Sequence, residues 1–227
     1  MNMQNTTEDL SKIFNPSDFE DLGATFSPTQ KEIEDQVRLF SLRFNWKEKV
    51  DEREWFPSFV DVFYPYIIQN QHMINQEQFL RLYKSTYKET IEKKCQTETA
   101  LLFADGRILR TYPSLVRDIH FYKYLINLGE KAIYNLELDK RRGIDILLER
   151  ESGYYGLCLY TDTEDGRKNR DKKLLWRESR EFENVTYIEL PVPFLGECNF
   201  GRFWLYGDNE YNKVSAIINN IEKSLVV

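Results

Sequence analysis

Apolar side chains recur at helical spacing in the first part of the chain and in short strand-like runs in the last. Ser27-Pro28-Thr29-Gln30 combines a capping serine, a proline at the first helical position and a glutamine three residues on. Ile33, Val37, Phe40 and Phe44 then form one stripe and predict a helix to about Asn45. Trp55-Phe56-Pro57 punctuates the chain. Phe59, Val60, Phe63, Ile67 and Ile68 predict a second helix, strained or broken at Pro65. Asn75-Gln76-Glu77-Gln78 repeats the cap pattern, and Phe79, Leu82, Tyr83, Tyr87 and Ile91 line a third helix. Residues 1–26 are polar and acidic with scattered Phe and Leu, which predicts a tail, or an arm that packs through Phe14 and Phe19.

From Ala100 the pattern changes. Residues 100–103, an Asp105-Gly106 turn and residues 108–110 read as a short hairpin. Thr111-Tyr112-Pro113 opens a helix that Gly129 closes. Residues 132–138, 143–149 and 154–161 read as three strands, 166–180 as a charged helix and 185–192 as a β-branched strand ending at Pro193. A strand over 200–206 and a helix over 211–225, with Val214, Ile217, Ile218 and Ile221 on one face, complete the chain. The predicted class is α/β: a helical N-terminal half followed by an α-β-β-β-α-β core. The expected division is 1–26 tail or arm, 27–98 helical region, 99–227 α/β core.

Composition narrows the chemistry. At 227 residues with 41% hydrophobic and 15% aromatic side chains, the chain can bury a sizeable core. No apolar run reaches the length of a membrane span, and the first 30 residues lack a basic-then-apolar signal pattern, so the expected location is the cytoplasm, without a membrane partner. Cys95, Cys158 and Cys198 are far apart and odd in number, and His72 and His120 are the only histidines. That argues against both a disulfide framework and a structural zinc site. Cys158 and His120 make a poor thiol and base pair, because Cys158 falls inside an apolar strand. Walker, GxGxxG and GxSxG spacings are missing. The net charge of -6 argues against wholesale coating of nucleic acid but leaves room for a local basic face.

The order helix, three strands, helix, strand, with Gly143-Ile144-Asp145-Ile146-Leu147 on the second strand, resembles the restriction-endonuclease-like core of the PD-(D/E)XK nucleases over about residues 112–192. The resemblance implies Asp145 as a metal ligand, Mg²⁺ as cofactor and nucleic acid, DNA above all, as substrate or ligand. In that family the next strand carries an acid and a lysine two residues apart. Such spacing on a strand points both side chains to one face, where carboxylates hold the metal and the lysine steadies the attacking water. Here the strand reads Tyr154-Tyr155-Gly156-Leu157-Cys158-Leu159-Tyr160-Thr161-Asp162, without a Glu-x-Lys pair in any register. Cys158 and Tyr160, or Leu157 and Leu159, stand in its place.

Other residues offer replacements. Asp145 and Glu149 share one strand face as a candidate metal pair, though about 13 Å apart along an extended strand. Asp118, on the preceding helix, is a further candidate acid, and Lys168, Lys172 or Lys173 on the charged helix can supply the lysine. Asp145, Asp118 and Lys173 are therefore the candidate catalytic residues. Between Thr161 and Arg180 seven basic residues meet five acidic ones, and Arg167, Arg170 and Lys172 are the candidate contacts to a phosphate backbone. The plainer reading of that helix is a solvated face laced with ion pairs. Asp145 likewise reads as a local hydrogen-bond acceptor, and Arg117 and Asp118 as outward partners on an amphipathic helix. The expected function is a nuclease-like protein acting on or binding nucleic acid, as a magnesium-dependent phosphodiester hydrolase. The alternative is a subunit or adaptor that keeps the fold without turnover, with a protein partner or a second copy on the helical half.

Overall fold

The computed structural model describes residues 12–39, 55–177, 181–193 and 204–225. They fall into two compact units. One holds the described parts of 23–124 and 195–207, and the other those of 1–22, 125–194 and 208–227. The division therefore does not follow the boundary expected near residue 98.

The first unit is helical. Helix α1 (Gln30–Arg38) starts two residues later than the serine cap predicts: Thr29 is the cap, and its side chain and that of Glu32 satisfy each other's backbone N–H groups. The hydroxyl of Ser27 instead donates to the carbonyl of Gln71 at 2.6 Å. Residues 40–45 of the predicted helix lie outside the described residues. Helix α2 (Val60–Asn70) runs through Pro65 without breaking, with Phe63, Tyr64 and Ile67 fully buried around it. Asn75 caps α3 (Gln76–Thr86) through a reciprocal contact with Gln78, as the pattern predicts. The third stripe is split at Tyr87, and Ile91 belongs to a separate helix, α4 (Lys88–Lys94).

The hairpin predicted over 100–110 does not form. That stretch lies within one 30-residue helix, α5 (Glu98–Asn127), which also absorbs the helix expected to start at Pro113. Ala104, Ile108, Tyr112, Leu115 and Ile119 are buried at helical spacing, so the core decides the conformation over the local turn signal of Asp105-Gly106. Pro113 has no N–H for the Leu109 carbonyl one turn back. The side-chain amide of Gln76 donates to that carbonyl at 3.0 Å, replacing the missing bond. In the same unit Gly23 lies against Tyr122: a Cβ there would come within 2.3 Å of the ring.

The second unit is built on a four-stranded mixed sheet in the order β1-β2-β3-β4, formed by β1 (Lys131–Ile133), β2 (Ile146–Arg150), β3 (Gly153–Asp162) and β4 (Val185–Pro193). The first three pair antiparallel, β3 and β4 parallel. A parallel pair needs a crossover, and α6 (Glu164–Arg177) supplies it. Helix α7 (Asp208–Leu225) follows, with Val214 and Ile218 fully buried. Strand β1 is much shorter than the predicted 132–138. The side chain of Asn135 accepts from the backbone N–H groups of Glu137 and Leu138 and turns the chain into a π-helix, Leu138–Arg142. Of the strand predicted over 200–206, residues 204–206 have no regular structure and 200–203 lie outside the described residues.

An arm over residues 12–22 completes this unit. Phe14 N–H donates to the Asn184 side chain at 2.7 Å, and the Asn184 amide returns a bond to the Phe14 carbonyl. Phe14 and Phe19 stack on each other and meet Phe182 edge-on, and Phe14 also meets Tyr154. This cluster joins Leu138, Ile144, Leu147 and Val185 on one face of the sheet.

Candidate functional site

The site begins at the turn out of the π-helix. Gly143 adopts a left-handed conformation (φ 66°) that a side chain would strain. Its N–H donates to Asp139 O, and that of Ile144 to Leu138 O, closing the helix on those two carbonyls. Ile144 is buried over Gly156 of β3, where an added Cβ would come within 3.0 Å of the isoleucine side chain. The chain then reaches Asp145 just before β2.

Asp145 is 6% exposed. Its N–H donates to Leu157 O at 2.9 Å, and its carboxylate accepts from Leu159 N–H at 2.6 Å. The two bonds bracket Cys158, so the aspartate pins the start of β2 to the middle of β3. A buried carboxylate satisfied by a backbone N–H is stable in that place. The residues expected to carry the acid and lysine offer no such groups. Cys158 is buried, and its thiol donates weakly to Gly156 O at 3.7 Å. Tyr160 supports Arg170, whose guanidinium lies 5.4 Å from the ring centroid and donates to the phenol at 3.4 Å. Those bonds and the Asp171 carboxylate push the already high pKa of Arg170 further up, Tyr160 contributing most.

The other candidate residues are distributed as follows. Glu149 lies four residues further along and pairs across the strands with Lys131 at 3.2 Å. Asp118 belongs to the helical unit, on α5 beside the buried Arg117. Arg167 pairs with Asp162 at 2.5 Å, Lys168 with Glu164 at 2.7 Å and Arg170 with Asp171 at 2.8 Å. Lys168 holds the Glu164 carboxyl below its usual range. The side chains of Lys172 and Lys173 lie outside the described residues. His120 contacts Glu34 within the helical unit, and Cys158 belongs to the sheet unit.

One further acid becomes visible only in the fold. Glu189 of β4 stands directly across from Cys158, and residues paired across a ladder project to one face. A lone acid in the apolar run Val185–Pro193 is a break in the pattern of the sequence, but its partner depends on register, which a sequence does not specify. Among the described residues no group of three His, Cys, Asp and Glu side chains converges to hold a metal ion. Mg²⁺ prefers six oxygen ligands, several of them usually water. Asp145 brings one carboxylate, part of it engaged by Leu159 N–H.

The architecture thus defines a mixed α/β protein with an acid at the head of its second strand. Comparison with protein families, with curated proteins and with solved structures finds no match. Among the described residues no helix is long and apolar enough to cross a membrane.

Proposed function

We propose that the sheet unit is a restriction-endonuclease-like core that binds nucleic acid and keeps the nuclease fold without turnover. The fold part of this reading is supported by the order β1, β2, β3, α6, β4 within the sheet unit and by a sheet whose first three strands are antiparallel and whose last is parallel. The observation that carries the lack of turnover is the Asp145 carboxylate bound to Leu159 N–H, beside a strand with Cys158 and Tyr160 where an acid and a lysine would act. In this arrangement the aspartate has a structural task, and Cys158 and Tyr160 stand where its catalytic partners would act.

The competing reading is a Mg²⁺-dependent phosphodiesterase that draws on Asp145, Asp118 and Lys173. Incubation of the purified protein with plasmid, linear duplex and single-stranded DNA and with RNA, in Mg²⁺ and in Mn²⁺, separates the two. Binding with no cleavage above that of an Asp145→Asn control is the expected result. Cleavage that depends on the divalent ion and disappears in Asp145→Asn would overturn it in favour of the hydrolase.

A further inference from the structure

Two cationic segments of the sheet unit come to the same end of the sheet. Strands β1 and β2 pair from Lys131↔Glu149 to Ile133↔Leu147, so the connection over residues 134–145 lies beyond the end at which β2 begins. Strand β3 runs antiparallel to β2, so its last residues reach that same end, and α6 starts there. The connection holds the π-helix with Lys140, Arg141 and Arg142. The first half of α6 holds Arg167, Lys168 and Arg170.

Both segments also lie on one face. Leu138 packs with Leu147, Val185 and Phe182, and the Arg142 guanidinium lies 4.0 Å from the Phe182 ring centroid. Tyr154 joins this cluster. Tyr160, six residues along β3, projects to the same face by strand alternation and carries Arg170. In the sheet order the π-helix joins β1 to β2 and α6 joins β3 to β4, so Asp145, at the β2–β3 junction, stands between them.

The charge balance here runs slightly against the trend of the chain. Residues 137–142 and 161–170 together carry six basic and five acidic side chains, in a chain whose net charge is -6. Lys140 is exposed, and the side chains of Arg141, Arg167 and Lys168 are 47%, 54% and 63% exposed. The carboxylates that pair with the last three lie four or five residues away on the same stretch of chain: Glu137, Asp162 and Glu164. Exposed pairs of this kind contribute little to stability, so a phosphate can replace the carboxylate at small cost.

We propose that Lys140 and Arg141 on one side, and Arg167 and Lys168 on the other, grip the phosphodiester backbone of a nucleic acid across the Asp145 end of the sheet. The proposal rests on the nucleic-acid reading above and deepens it by adding the π-helix as the second bank of contacts. Contacts of this kind position a backbone without reading its sequence.

The test is fluorescence anisotropy with a labelled 20-base-pair duplex and the matching single strand, titrated from low to moderate salt. The variants are Lys140→Glu/Arg141→Glu, Arg167→Glu/Lys168→Glu and, as a charge-matched control, Lys213→Glu/Lys223→Glu on the exposed face of α7. Each bank variant is expected to weaken binding about tenfold or more, and to flatten the log–log salt slope for duplex by about 2, one for each phosphate no longer neutralised. The α7 variant is expected to bind within about twofold of wild type. Wild-type affinity in Lys140→Glu/Arg141→Glu, with weakened binding in the α6 variant, overturns the second bank and leaves the nucleic-acid reading standing. Equal weakening in all three variants means unspecific charge attraction and overturns the proposal. A wild-type protein that binds neither probe at low salt overturns the nucleic-acid reading itself.

Discussion

Burial of a histidine favours its neutral ring, because the charged form loses hydration it cannot replace. His120 is 3% exposed, and its Nδ1 has no partner among the described residues. Its Nε2 lies 3.3 Å from a Glu34 carboxylate oxygen that also accepts from Gln30. Burial lowers the His120 pKa, and the contact with Glu34 works the other way without cancelling it. A histidine depressed in the folded state binds its proton first in the unfolded chain. Stability from this group is therefore full above the ordinary histidine pKa of about 6.5 and declines as pH falls below it. The melting temperature of the wild-type protein is expected to fall between pH 7 and pH 5.5 by more than that of His120→Gln. Parallel decline in the two proteins would show that another group sets the acid sensitivity. At the same scale, the acid that resembles a metal ligand in the sequence accepts from Leu159 N–H in three dimensions and ties the start of β2 to β3.

Among the elements, helix starts obey local chemistry and long helices obey the core. In the contact at the start of α3 the backbone N–H groups of Asn75 and Gln78 each donate to the other's side chain within one turn, and it is legible from four letters. Asn75→Ala should cost about 1 kcal/mol, read as a lower urea midpoint with unchanged slope. A midpoint within error of wild type would mean that the turn holds itself without the cap. α5 is the opposite case. Gly106 and Pro113 are local reasons to stop a helix, each outweighed by a tertiary contact: the buried stripe through Ile108 and Tyr112, and the Gln76 amide on the Leu109 carbonyl. Neither contact has a signature within the segment itself. Strand β1 ends early for a local reason, the Asn135 side chain, yet strand propensity in the apolar residues that follow concealed it.

On the scale of the whole chain, the sheet unit is discontinuous. Its arm, residues 12–22, is separated in sequence from the strands it covers by the helical unit. Phe14 is buried among Phe19, Tyr154 and Phe182, and its backbone is tied to Asn184. Replacing a buried phenylalanine by alanine typically costs about 3–5 kcal/mol. Phe14→Ala is therefore expected to unfold the sheet unit at markedly lower denaturant, with early loss of amide-exchange protection in β4. Protection in β4 equal to wild type would show that the arm only decorates a sheet stable without it.

By itself the sequence determined the class of the protein: helical stripes first, then strands, with Asp145 beside a strand that lacks the acid and lysine pair. These are short-range properties, because capping and hydrophobic period act over one or two turns and an element's type follows from its own residues. Only the tertiary structure decided that residues 100–110 are helical, that Glu149 answers Lys131, that Glu189 faces Cys158 and that the π-helix and α6 meet one end of the sheet. Each of those facts depends on strand register or on burial against residues far along the chain. A one-residue slip in register would reverse every facing in the sheet, and no local pattern fixes it.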